Sequence, residues 1–137
     1  MVTPAQFQND GFGTIIQELN AGETDTDEVL VALTTTNAVP QPLYQLTLSP
    51  SSTVTFRSTV IATASSAVVV GKFVREFTVK RNGSNPAVLV QDLVPSPNYQ
   101  ENPGLDVSPG VNTNNAVITV TGLAGTVTWH GRIEVVS

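Results

Sequence analysis

Residues Thr126–Val136 read TVTWHGRIEVV, and apolar and polar positions alternate along them. Val127, Trp129, Ile133 and Val135 share one parity, with Gly131 among them, while Thr126, Thr128, His130, Arg132 and Glu134 share the other. Successive side chains of a strand point to opposite faces, so this is a half-buried β-strand. It sends the only tryptophan of the chain into a core and leaves the only histidine on the polar face.

The same signal recurs upstream. Ala116–Thr121 is a strand joined to the last one by the turn Gly122-Leu-Ala-Gly125. Tyr44, Leu46 and Leu48 alternate, and Ser49-Pro-Ser-Ser52 turns the chain. Val54, Phe56, Ser58, Val60 and Ala62 share a parity opposite Thr53, Thr55, Arg57, Thr59 and Thr63. Val69, Phe73, Phe77 and Val79 form an inward set, with Gly71 and Arg75 on the same parity. Arg75 breaks that set, which a bulge, a subunit interface or a strand end outside the core would each explain. Lys80-Arg-Asn-Gly-Ser84 reads as a tight hairpin, because Asn-Gly tolerates the positive φ angles of a type I′ turn. A strand through Ala87–Val90 follows. Val94–Asn115, with four prolines and five asparagines, reads as a long surface loop containing at most a short strand near Leu105–Val107. Tyr99 is its exposed aromatic, poised for a contact or for pinning the loop to the body.

Short, regularly spaced strands in a Val- and Thr-rich chain of 137 residues, 40% apolar, give one all-β domain, an antiparallel β-sandwich of jelly-roll-like type. The body is expected over residues 44–137. Residues 1–43 are expected to form an extended N-terminal arm. Thr14–Leu19 is a possible helical turn too short to define, and Asp27–Thr34 is a strand with Val29, Val31 and Leu33 on one face. Pro40 and Pro42 punctuate the chain before the body.

Charge and composition narrow the function. The net charge is −5, and phosphate contacts need lysine and arginine, so nucleic acid is not expected as a partner. No Lys or Arg precedes Arg57, whereas Asp10, Glu18, Glu23, Asp25, Asp27 and Glu28 all precede it. That acidic segment is either a solvated, self-repelling arm or one that docks on a basic partner. The N-terminus shows neither the basic stretch nor the apolar run of a secretory signal. Apolar runs such as Ala67–Val70 are far short of the roughly 20 residues of a spanning helix, so no membrane partner is expected. Asn82-Gly-Ser84 fits a glycosylation pattern, but without a secretion signal the turn reading is preferred.

Each catalytic design meets an obstacle. His130 has no nucleophile-elbow Gly-x-Ser-x-Gly to serve, and Glu134 lies roughly 13 Å along the same strand. One histidine and no cysteine do not make the usual zinc ligand set. Asp25-Thr-Asp27-Glu28 lacks the glycine and distal glutamate of a calcium loop and reads as a solvated acidic turn. No spacing singles out a carboxylate pair for glycoside hydrolysis, and no phosphate-binding glycine loop is present. The expectation is no enzyme, no metal and no cofactor. His130, Arg132 and Glu134 belong to the solvent or subunit face of a strand.

The last 85 or so residues resemble a β-domain of tailed-bacteriophage virion proteins. The resemblance rests on Phe56–Thr63 and its basic-ended partner Phe73–Arg81. It rests further on the closing hairpin, where Val-Thr-Gly-x-Ala-Gly over 120–125 precedes a Trp strand ending in Glu-Val. The resemblance implies a sandwich that trimerises and projects from the virion, without activity or cofactor. With only about 43 residues before the body and no heptads, it points to a capsid decoration (cement) protein. This would be made in the host cytoplasm and bound to the outer capsid surface. Its partners would be itself, as a homotrimer, and the major capsid protein. The arm would clamp by adding the Val29–Thr34 strand to a neighbouring sheet edge. Candidate contact residues are Asp25, Asp27, Val29, Val31, Leu33, Arg75, Tyr99, His130, Arg132 and Glu134. The alternative is a tail-fibre or adsorption tip binding a host-surface glycan through the loop that holds Tyr99. A carbohydrate-active jelly-roll enzyme is a third class.

Overall fold

The structure, a computed structural model, describes residues 15–19, 26–64 and 68–137. They form nine strands: β1 (Ile15–Leu19), β2 (Thr26–Thr35), β3 (Gln41–Leu48), β4 (Ser52–Ala64), β5 (Val69–Arg81), β6 (Val88–Gln100), β7 (Asp106–Asn112), β8 (Asn115–Thr121) and β9 (Val127–Val136). Two sheets result, ordered β1-β3-β8-β7 and β2-β9-β4-β5-β6. Every pairing is antiparallel except β1 on β3.

The alternating parities explain the packing. Val54, Phe56, Val60 and Ala62 of β4, Phe73, Phe77 and Val79 of β5, and Val127, Trp129, Ile133 and Val135 of β9 are all buried. They meet Tyr44, Leu46 and Leu48 of β3, Val107 of β7, and Ala116, Ile118 and Val120 of β8. Phe56 stacks on Phe77 with centroids 4.7 Å apart, and Tyr44 meets Phe56 edge-on at 6.2 Å. Both geometries suit ring quadrupoles. β9 is an interior strand, flanked by β2 on one side and β4 on the other.

Four expectations change. First, the body does not begin at Tyr44. β2 pairs with β9 in unbroken register from Thr26↔Val136 to Thr35↔Val127, and Val29 and Val31 lie in the chain's own core. Their parity signalled a buried face; the buried partner is β9 and not a neighbouring subunit. Second, Ile15–Leu19 is a strand parallel to β3 and not a helical turn. A five-residue segment cannot sustain a helix unaided, and the edge of β3 offers backbone partners.

Third, residues 94–115 are not one loop. β6 runs to Gln100 and β7 occupies Asp106–Asn112. Pro95 and Pro97 lie on an edge strand, where a missing N–H costs no ladder bond on the open side. Three register shifts against β5 hide the period-two pattern. Fourth, the β5–β6 connection spans residues 82–87 and is not a two-residue turn. Gly83 has φ 54°, but Asn82 is not in the positive region that a type I′ turn requires. The Arg81 guanidinium donates to the carbonyls of Leu48 (2.9 Å), Asn85 (3.0 Å) and Ser84 (3.4 Å), which holds the longer loop.

Candidate functional site

The outer face of the five-stranded sheet gathers most of the polar side chains singled out by sequence. Cross-strand pairing lines up Glu28, Glu134, Arg57 and Glu76 in one row through β2, β9, β4 and β5. A second row holds Ala32, His130, Ile61, Lys72 and Tyr99. Glu28 and Glu134 stand opposite each other, a like-charge pairing that costs free energy unless offset. Arg132 offsets it by donating to Glu28 at 2.7 Å, while Arg57, opposite Glu134 in the register, pairs with Glu76 at 3.2 Å. The Glu28 hydrogen bond and charge raise the Arg132 pKa further above its usual range. Exposed pairs of this kind are screened by solvent, so the rows set the pattern of the face more than its stability.

Within the candidate set, His130 and Arg132 are exposed and Glu134 is half-buried, all on this face. His130 has no hydrogen bond to a serine or carboxylate among the described residues, so no acid–base pair forms around it. No group of three or more His, Cys, Asp or Glu side chains converges among the described residues. Asp27 lies at the start of β2, and its charge adds to burial in raising the pKa of the Tyr44 phenol. Leu33 packs half-buried on the core beside buried Val29 and Val31, so the side chains of these three face the chain's own interior. Asp25 lies outside the described residues.

Arg75 faces inward and is consumed there. Its guanidinium donates to both carboxylate oxygens of Asp92, at 2.6 and 3.2 Å, and to the carbonyl of Val107 at 3.3 Å. It thereby ties β5 to β6 and to the opposite sheet. The inward parity of Arg75 was visible in the sequence. Its partner was not, because Asp92 sits where register shifts scramble the pattern.

Tyr99 ends the second row on edge strand β6, half-exposed at 51%. Its hydroxyl donates to Glu101 at 2.6 Å, and this bond, ahead of burial and the Glu101 charge, raises the phenol's pKa above 10.0. Glu101 also lines a shallow depression of about 290 Å³ with Val70, Asn102, Leu123, Thr126 and Val127. The exposed Tyr99 ring and this depression meet at Glu101, which accepts from the one and lines the other.

The closing hairpin acquires a structural reason. Trp129 Nε1–H donates to the Thr35 hydroxyl at 3.0 Å, and a Cβ at Gly122 would run into that same hydroxyl. Gly125 takes φ 121° and donates its N–H to the Thr36 carbonyl at 3.2 Å. Both glycines of the Gly-x-Ala-Gly turn therefore serve the docking of β2 and of the loop after it.

No family model matches the sequence, and no curated protein matches it. Among solved structures, the chain is similar to part of the tailspike protein of Acinetobacter baumannii phage AM24. The two share 11% identity and a TM-score of 0.43 over 81% of this chain and 26% of the tailspike. The chain thus spans about a quarter of that protein's length.

Proposed function

We propose that the chain is a non-catalytic structural β-domain of a tailed-phage virion that works by adhesion, as a fibre or adsorption module on the tail side. The sequence resemblance over strands β4, β5, β8 and β9 supports the virion setting. The observation that carries the choice of side is the burial of Val29 and Val31, at 0% and 4% exposure. A head-clamping arm that reaches away from the body would have to pull that strand out of the core, so β2 offers a neighbour only its outer edge. Also available are the outer face of the five-stranded sheet and, at its rim, Tyr99 with Glu101 and the adjoining depression. A host-surface glycan is the ligand this rim fits, with sugar C–H groups on the ring and hydroxyls on Glu101 and Asn102.

The test is binding of the purified protein to host cells and to phage heads stripped of accessory proteins. Binding to cells that falls at least tenfold in Tyr99→Ala supports the reading. Binding to stripped heads, unaffected by that substitution, rejects it.

One observation favours head decoration as a second reading. All six basic residues lie in strands of the five-stranded sheet, while Asp10, Glu18, Glu23 and Asp25 precede it with no basic residue among them. An acidic leading segment of this kind suits salt-sensitive attachment to a basic shell.

A further inference from the structure

The two sheets have four edges, and three are blunted. β1 is five residues long; β7 carries Pro109; β6 carries Pro95 and Pro97 and slips register three times against β5. Short strands, prolines and bulges are the usual protections against edge-to-edge pairing. β2 has none of these. It is ten residues long, keeps unbroken register with β9, holds neither proline nor lysine, and its other edge pairs with no strand among the described residues. At its centre, Leu30 points outward at 66% exposure, more than any other large apolar side chain described.

We infer that β2 pairs antiparallel with β2 of a second copy of this chain about a twofold axis at Leu30, joining two five-stranded sheets into one of ten strands. Charge decides the direction. Asp27 and Glu28 sit at one end of β2, and the other end, from Val31 to Thr35, is uncharged. Parallel pairing would set Glu28 against Glu28, whereas antiparallel pairing puts the acidic ends at opposite ends of the seam. With Leu30 facing Leu30, Glu28 stands opposite the small Ala32 of the second copy. The His130 of that copy is one strand further on, by the Ala32↔His130 pairing. The register also keeps faces matched: Val29 meets Val31 on the inner side, and Leu30 meets Leu30 on the outer. An interface that pairs the same patch with itself is the commonest closed symmetry. This inference stands apart from the virion reading and holds or fails without it.

The chain contains no cysteine, so a single introduced thiol reports its own neighbour. Directly opposed residues of an antiparallel pair have Cα atoms about 4.5–5.5 Å apart. A disulfide accepts about 4.4–6.8 Å. Leu30→Cys is expected to form a covalent dimer under mild oxidation, while Glu28→Cys and Thr34→Cys, which do not face themselves, stay uncross-linked. Leu30→Lys, which sets two ammonium groups together, is expected to convert the dimer to monomer in sedimentation, with a cooperative melting transition whose midpoint no longer depends on protein concentration. A monomeric wild-type protein would overturn the inference. So would an oligomer that survives Leu30→Lys, or cross-linking of Glu28→Cys as efficient as that of Leu30→Cys.

Discussion

The Thr35 hydroxyl stands where three elements meet: β2, the indole of β9 and the turn at Gly122. Thr35→Val leaves the buried Trp129 N–H without an acceptor and is expected to cost about 1–3 kcal/mol in urea unfolding, while Thr35→Ser retains most of the stability. Ser58 is the opposite case. Its hydroxyl is fully buried on the inner face of β4 and has no hydrogen-bond partner. Ser58→Ala removes that unsatisfied group and is expected to raise stability by about 1 kcal/mol. Both tyrosines hold their protons above the ordinary value of 10.0, Tyr44 through burial and the Asp27 charge, Tyr99 through Glu101. Spectrophotometric titration is expected to show no phenol titrating at the ordinary value, and Glu101→Gln should return Tyr99 towards it. The linkage has a definite sign. A phenol whose folded pKa is raised contributes stability that is complete below pH 10.0 and is lost as pH climbs through the folded value. Alkaline unfolding should therefore track Tyr44.

At the level of the element, β2 and β6 mark what sequence reveals and what it conceals. The alternation of Val29, Val31 and Leu33 was plain, and it correctly meant one buried face. Periodicity names a face but not the strand beside it, so the segment read as an arm. Only the register with β9 gives its place. β6 failed in the other direction: Pro95, Pro97 and the slips in register disguised a thirteen-residue strand as a loop. Its side chains are exposed apart from half-buried Leu89, so little apolar burial holds it. The bidentate Arg75–Asp92 pair is its main side-chain tie, with Arg75 at 15% and Asp92 at 34% side-chain exposure. Asp92→Asn is expected to cost about 1–2 kcal/mol, partly discounted for solvent screening. Amide exchange should then quicken over residues 88–100 and leave β4 and β9 as protected as before. Equal exchange across all three strands would show that the tie is not local.

For the molecule as a whole, the all-β class and most inward-facing residues were legible because β3, β4, β5, β8 and β9 each turn an alternating apolar face into one core. Where the polar residues gather was not, since rows such as Glu28–Glu134–Arg57–Glu76 exist only once four strands are in register. Charge is divided on the same scale. The five-stranded sheet holds six basic residues against Asp27, Glu28, Glu76, Asp92 and Glu134, and the other six acids of the chain lie outside it. The charge-laced face with Tyr99 at its rim is the surface to which the proposed adhesive role is assigned. The most direct test of that account is electron microscopy of intact phage labelled with gold-conjugated antibody to this chain. Gold confined to the tail is the predicted result; gold spread over the head, or absent from particles altogether, would contradict it.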